Sequence, residues 1–99
     1  MRIIGGKLKG KSISFLKSPI TRPLKDSVKE SIFNIIAHSN ILNINLEKSN
    51  ILDLYSGIGS FGLECISRGA EKVFFVEKNN EAAQVLSKNS FDLSVQNKA

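Results

Sequence analysis

Apolar positions change their spacing several times along this chain, and each change marks an expected element. Arg2-Ile3-Ile4 and Ser12-Ile13-Ser14-Phe15-Leu16 are short extended runs joined through Gly5, Gly6 and Gly10 with lysines between them, which predicts a small basic β-hairpin or ribbon. In Ser18-Pro19-Ile20-Thr21-Arg22-Pro23, each proline holds the residue before it extended and keeps a helix from starting early. From Lys25 the apolar residues Val28, Ile32, Ile35 and Ile36 return at helical spacing, with Asp26 and Glu30 toward the positive N-terminal end. A helix to His38 is expected, buried along those four positions. Asn40 to Asn50 has no clean period and reads as a loop with some local helix.

The second half carries a stronger pattern. Ile51-Leu52-Asp53-Leu54 predicts a strand ending at the glycine-rich turn Ser56-Gly57-Ile58-Gly59-Ser60-Phe61-Gly62. A helix then follows, with Leu63, Cys65 and Ile66 on its buried side, Arg68 in its last turn, and Gly69 placed to end it in the left-handed conformation. Val73-Phe74-Phe75-Val76 is continuously apolar, as expected of a strand covered on both faces in a parallel sheet. Asn79 or Asn80 caps a last helix, along which Ala82, Ala83, Val85 and Leu86 run to Asn89. Strand, helix, strand, helix is the order of a βαβα unit, and therefore of an α/β fold.

A length of 99 residues restricts the chain to one core, and 41% hydrophobic with 23% charged residues is ordinary globular composition. The longest apolar run, Val73 to Val76, is far short of the ~20 residues that span a membrane, so a soluble, cytoplasmic protein without membrane contact is expected. Cys65 stands alone, which excludes an internal disulfide and a multi-cysteine metal site and fits a core position in a reducing compartment. No metal site is expected. The charge of +5 is concentrated at one end, because Arg2, Lys7, Lys9, Lys11, Lys17, Arg22 and Lys25 all precede the first acid, Asp26. Residues 1–24 thus form a basic extension with its connector, and residues 25–99 the rest. Such a segment attracts a polyanion through salt-sensitive phosphate contacts; a merely solvated basic face is the alternative.

Gly57-Ile58-Gly59-Ser60-Phe61-Gly62 satisfies G-x-G-x-x-G between a strand and a helix. The first glycine allows a sharp turn, the second lets a ligand approach the backbone, and the third brings helix and strand together. Amides at the start of the helix favour an anion there. Glu77 ends the second strand 20 residues after Gly57, which places a carboxylate beside the turn, able to accept from two ribose hydroxyls. Asp53 decides between nucleoside cofactors. It would repel a buried pyrophosphate, whereas S-adenosylmethionine has no phosphate and carries a cationic amino group and a sulfonium. S-adenosylmethionine is therefore favoured over a nicotinamide dinucleotide, with Tyr55 lining the same cleft. The alternative for Asp53 is a helix cap, and for the glycines a tight connection alone.

Ile51 to Glu64, followed by Ser67-Arg68-Gly69-Ala70 and Val76-Glu77-Lys78, resembles motifs I and II of a class I methyltransferase. Met1 to Lys7 with Gly10-Lys11, Thr21-Arg22-Pro23 and Asp26 to Asn34 resembles the RsmD family of bacterial enzymes that methylate the exocyclic N2 of a guanine in 16S ribosomal RNA. The resemblance implies a partial Rossmann-like class I methyltransferase fold, with the basic hairpin and a helix ahead of the βαβα unit. It implies that Arg2, Lys7, Lys9, Lys11 and Arg22 hold ribosomal RNA, within an assembling small subunit, and that Lys78 joins Asp53, Tyr55, Gly57, Gly59, Gly62 and Glu77 around S-adenosylmethionine.

One part of the family pattern is missing. Members orient the target amine with an Asn/Asp-Pro-Pro-aromatic loop, whose ring stacks on the flipped-out base. Here the only prolines are Pro19 and Pro23, upstream of the turn, so no catalytic residue is assigned. Two other readings stay open, a non-catalytic RNA-binding module and a fragment of a nicotinamide-dependent oxidoreductase. With two strands of a larger sheet, the chain is expected to dimerise, exchange elements or be poorly soluble.

Overall fold

A computed structural model describes residues 2–14, 26–38, 45–54 and 56–98. Helix α1 (Asp26–His38) is followed by strand β1 (Asn50–Leu54), helix α2 (Ser60–Ser67), strand β2 (Lys72–Val76) and helix α3 (Asn80–Asp92), with a short 3-10 turn at Gln96–Lys98. The two strands pair in parallel, from Asn50 opposite Lys72 to Leu54 opposite Val76. Parallel pairing requires a crossover, and α2 supplies it. The expected βαβα order is therefore present.

The basic N-terminal segment folds back on itself as a smaller hairpin-like turn than expected, Ile3 N–H donating to the Lys11 carbonyl at 2.9 Å and Gly10 N–H to the Ile3 carbonyl at 3.0 Å. Among the described residues, a single antiparallel bridge, Arg2 to Ser12, replaces two extended strands. Its path is set by α2 instead. The Ile4 and Gly5 amides donate to the two carboxylate oxygens of Glu64, at 2.9 and 2.8 Å, and Lys7 N–H donates to the Ser67 carbonyl at 2.7 Å. Leu8 N–H donates to the Ser67 hydroxyl, which itself donates to the Gly5 carbonyl. With three glycines and the like charges of Lys7, Lys9 and Lys11, the segment pairs little with itself, and α2 satisfies much of the rest of its backbone. The rest of the expected second strand, Phe15 and Leu16, and the proline connector with Arg22 lie outside the described residues.

Helix α1 occupies the predicted span but presents a different face to the core. Lys29 and Phe33 are fully buried, whereas Val28 and Ile35, expected inside, are 44% and 58% exposed. The helix is rotated toward long-range partners. Lys29 Nζ lies 3.3 Å from the buried Glu64 Oε1 and donates to the Arg2 carbonyl and to Ser60 Oγ. The Phe33 ring stacks on Phe61 with centroids 5.0 Å apart, and the Arg68 guanidinium carbon lies 4.5 Å from the Phe33 ring centroid. Arg68 Nε also donates to Glu64 Oε2 at 2.9 Å. A buried carboxylate thus ties α1, α2 and the N-terminal segment together.

Strand β2 is covered on one side only. Val73 is fully buried and Phe75 half-buried against α2, while Phe74 and Val76 are half-exposed on the other side together with Leu52 and Leu54 of β1. The continuous apolar run Val73 to Val76 forms the expected strand but is not covered on both faces as expected, since nothing among the described residues covers the side that carries Phe74 and Val76. Leu63, Cys65 and Ile66 join the core as expected, and Gly69 adopts φ +107° at the end of α2. Burial raises the Cys65 thiol to about 12, which leaves it an inert core group.

Candidate functional site

The site forms where β1 and β2 end and α2 begins. Gly57 and Gly59 both have positive φ, 57° and 90°, and Gly59 precedes α2, which has no side-chain cap of its own. The roles of the second and third glycines can be read from what a Cβ would meet. At Gly62 it would lie 2.3 Å from the Phe75 ring and 2.9 Å from Val73, so close packing of helix on strand requires glycine there, as expected. At Gly59 it would lie 2.2 Å from Leu86 Cδ1. Contact with α3, added to the left-handed backbone, already demands glycine at Gly59 without any ligand.

Asp53 and Glu77 converge on this turn from adjacent strands. Asp53 Oδ2 accepts from Gly62 N–H at 3.2 Å, so Asp53 caps α2 from β1 with one oxygen and keeps Oδ1 as a further acceptor. Burial, above all, raises the Asp53 carboxyl above the usual range; the Gly62 amide opposes this and the nearby Glu77 charge adds to it. Glu77 Oε1 accepts from Gly57 N–H at 2.7 Å and Oε2 from Asn79 N–H at 2.8 Å. The same carboxylate therefore fastens the turn to the start of α3, where Asn79 Oδ1 caps the helix by accepting from Ala82 N–H. Each carboxylate oxygen retains a second lone pair. Beside them, the buried Ser56 hydroxyl has no hydrogen-bond partner among the described residues.

Two acids and an unpartnered hydroxyl beside the start of α2, where Asp53 takes up the Gly62 amide, make a polar, anionic cluster. Such a donor set fits a nucleoside carrying positive charge and vicinal hydroxyls better than a pyrophosphate. Lys78 is exposed at the rim, and Tyr55 lies outside the described residues. Arg2, Lys7, Lys9 and Lys11 are all exposed on the N-terminal segment, with Arg2 Nε 3.5 Å from Asp26 of α1. Arg22 falls outside the described residues. Among the described residues no cluster of three or more metal-binding side chains occurs, and no helix is long and apolar enough to cross a membrane.

Three buried groups escaped the sequence reading. Lys29, Glu64 and Asn89 are polar residues on helices whose apolar spacing directs attention elsewhere. Glu64 left a faint signal, as the one acid in the apolar stretch Gly62 to Ile66, four residues before Arg68. Burial would raise its carboxyl, but hydrogen bonds from the Ile4 amide, Arg68 and the Gly5 amide, with the charge of Lys29, hold it below the usual carboxylate range.

Comparison with known proteins places this site in context. The family described as conserved hypothetical protein 95 matches residues 1–99. Ribosomal RNA small subunit methyltransferase D of Haemophilus influenzae is 38% identical over 89 residues, covering 90% of this chain and 43% of the relative. The protein of the same name from Escherichia coli K12 is 34% identical over 97 residues, covering 98% of this chain and 46% of the relative. The solved structure of yhhF from Escherichia coli superposes with a TM-score of 0.81 at 32% identity, over 98% of this chain and 48% of that one. The chain thus spans a little under half the length of these relatives. A match along its whole length, with a similar fold in a solved relative, shows that this chain belongs to the conserved hypothetical protein 95 family, also known as the RsmD family.

Proposed function

We propose that the turn binds S-adenosylmethionine and that the chain serves methyl transfer to the N2 of a guanine in small-subunit ribosomal RNA. The observation that carries this reading is the convergence of Asp53 and Glu77 on the glycine turn, Glu77 accepting from the Gly57 amide at its start and Asp53 from the Gly62 amide at its end. Glu77 would accept from the ribose hydroxyls, Asp53 would meet the cationic amino end, and Ser56 and the α2 amides would meet the carboxylate. When bound, the donor supplies an electrophilic methyl group on a sulfonium. The names of the ribosomal RNA methyltransferases to which the chain is similar support the substrate class. The exposed Lys7, Lys9 and Lys11, with Arg2 and Arg22, would contact RNA phosphates. No Asn/Asp-Pro-Pro-aromatic loop occurs in these 99 residues, so orienting the guanine amine is not assigned to any of them.

Calorimetry with S-adenosylhomocysteine tests the donor site. Glu77→Ala is expected to weaken binding at least tenfold, about 1.4 kcal/mol, in line with loss of a charge-assisted hydrogen bond. Binding equal to the parent's would remove Glu77 from the site. Asp53→Asn makes a second, two-sided test. Because the folded-state pKa of Asp53 is raised, its ionised form is disfavoured by folding, and this cost is present at neutral pH, shrinks as pH falls through the folded value and is gone below the unfolded value. The amide removes the cost while its oxygen can still accept from Gly62. The ligand-free variant should therefore melt no lower than the parent at pH 7, yet bind the donor product more weakly. RNA affinity that is steeply salt-dependent in both, with no cofactor binding in either, would instead support an RNA-binding module.

Leu52, Leu54, Phe74 and Val76 form an apolar sheet face that the remaining length of the longer relatives is expected to cover. Taken alone, the chain should associate through it.

A further inference from the structure

Asn89 lies on α3, and its side chain is almost wholly buried, far from the polar face that such a residue ordinarily occupies. Its Oδ1 accepts from Ser14 N–H at 2.8 Å, and its Nδ2 donates to the Ser14 carbonyl at 2.9 Å. The amide group thus reads both backbone polar groups of one residue, as a neighbouring β-strand would. Nδ2 also donates to the Ile58 carbonyl at 3.1 Å, inside the glycine turn. One side chain therefore spans the end of the basic N-terminal segment and the middle of the candidate cofactor turn. Lys88 adds a second tie beside it, donating to Ser14 Oγ at 3.0 Å.

We infer that Asn89 is a positioning residue that couples the N-terminal basic segment to the glycine turn, so that ordering either one favours the ordered form of the other. The physical case is the cost of separation. If the Ser14 segment moves away, Asn89 loses two partners in a buried setting, and the same amide then has less reason to hold its rotamer under Ile58. If the turn opens, a buried N–H is left unsatisfied, which weakens the grip on Ser14. Glu64 anchors Ile4 and Gly5 on α2 independently, so the start of the segment stays docked while its Ser14 end responds to the turn. In use, and here the inference rests on the proposed function, RNA held by the basic segment would favour donor binding, and by reciprocity the donor would favour RNA.

Amide hydrogen exchange, followed residue by residue on the 99-residue chain, tests the joint. Ligand-free Asn89→Ala should quicken exchange at both Ser14 and Gly59, whose N–H donates to the Ser56 carbonyl within the turn, by about threefold to tenfold relative to Arg68 at the end of α2. Ser90→Ala, which removes only a hydrogen bond within α3 to the Leu86 carbonyl, should leave that ratio unchanged. Quickening at Ser14 with Gly59 unaltered would overturn the coupling. Where Asn89→Ala fails to fold, Asn89→Asp, which keeps the acceptor for Ser14 N–H and loses both donations, gives the same comparison. In the parent, saturating S-adenosylhomocysteine should slow exchange at Ser14 about threefold or more, and in Asn89→Asp it should not. Binding of that compound without any change at Ser14 of the parent counts against the coupling. Absence of binding counts against the donor site, and the ligand-free comparison still decides the joint.

Discussion

Lys29→Met is expected to cost about 3–5 kcal/mol of folding stability, as breaking a buried ion pair from one side does elsewhere. Methionine matches the length of the lysine stem and its packing, so the loss isolates the charge. What remains is the Glu64 carboxylate, fully buried, with Arg68 and two backbone amides but without its Lys29 partner, and Ser60 Oγ and the Arg2 carbonyl lose a donor. For a domain whose total stability is of order 5–15 kcal/mol, this is enough to bring the urea midpoint down sharply or to leave the chain largely unfolded. Combining Lys29→Met with Glu64→Gln should cost less than the two single changes added together, since the second removal relieves the first. A loss below about 1 kcal/mol for Lys29→Met would mean that Arg68 and the amides already satisfy the carboxylate.

The pH dependence follows from the same group. The folded-state pKa of Glu64 is held below its usual value, so its contribution is complete above the unfolded value of about 4.3 and is lost as pH falls through the folded value. Acid unfolding of the parent should therefore set in below about pH 4. In Glu64→Gln this component of the acid transition should be absent, with lower stability at neutral pH and a flatter profile between roughly pH 5 and 3.

How much of this could be read in advance differs between local and long-range features. The strand, glycine turn, helix and second strand were legible because their signals are local: period, turn residues and the left-handed Gly69. The meeting of Asp53 and Glu77 was legible too, because a parallel βαβ unit brings the ends of both strands to the turn whatever the rest of the fold. Helix α1 was harder. Val28, Ile32, Ile35 and Ile36 satisfy a helical stripe, yet the buried positions are Lys29 and Phe33, because their partners Glu64, Phe61 and Arg68 lie more than twenty-five residues away. A lysine enters the core only when a carboxylate awaits it, and hydrophobic spacing carries no information about that carboxylate. Asn89 was invisible for the same reason, since its partners are backbone groups of Ser14 and Ile58. The second glycine shows the converse case. A familiar motif made Gly59 look reserved for a ligand, while the geometry shows that Leu86 occupies the space a Cβ would need.

Replacing Leu52 and Phe74 together by lysine should convert an associating chain into a monomer, and by a large factor. These residues are 63% and 54% exposed and pair across the strands in register, at the centre of the open sheet face between Leu54, Val76 and their neighbours. Covering the exposed half of such a side chain contributes roughly 1 kcal/mol. In a symmetric pair of chains each substitution counts twice, so the double change removes four such contributions, roughly 4 kcal/mol, and the lysines add like-charge repulsion across the contact. The association constant should fall about a thousandfold. Sedimentation over a wide concentration range reads the effect directly. The parent should show mass growing with concentration and the variant a single monomeric species, with equal urea midpoints for the dissociated chains, because both positions face away from the α2 core. A parent that stays monomeric at high concentration would show that this face is tolerated bare. A variant that still associates would move the contact to the unpaired strand edges, where backbone N–H and C=O groups, rather than apolar side chains, make the bond.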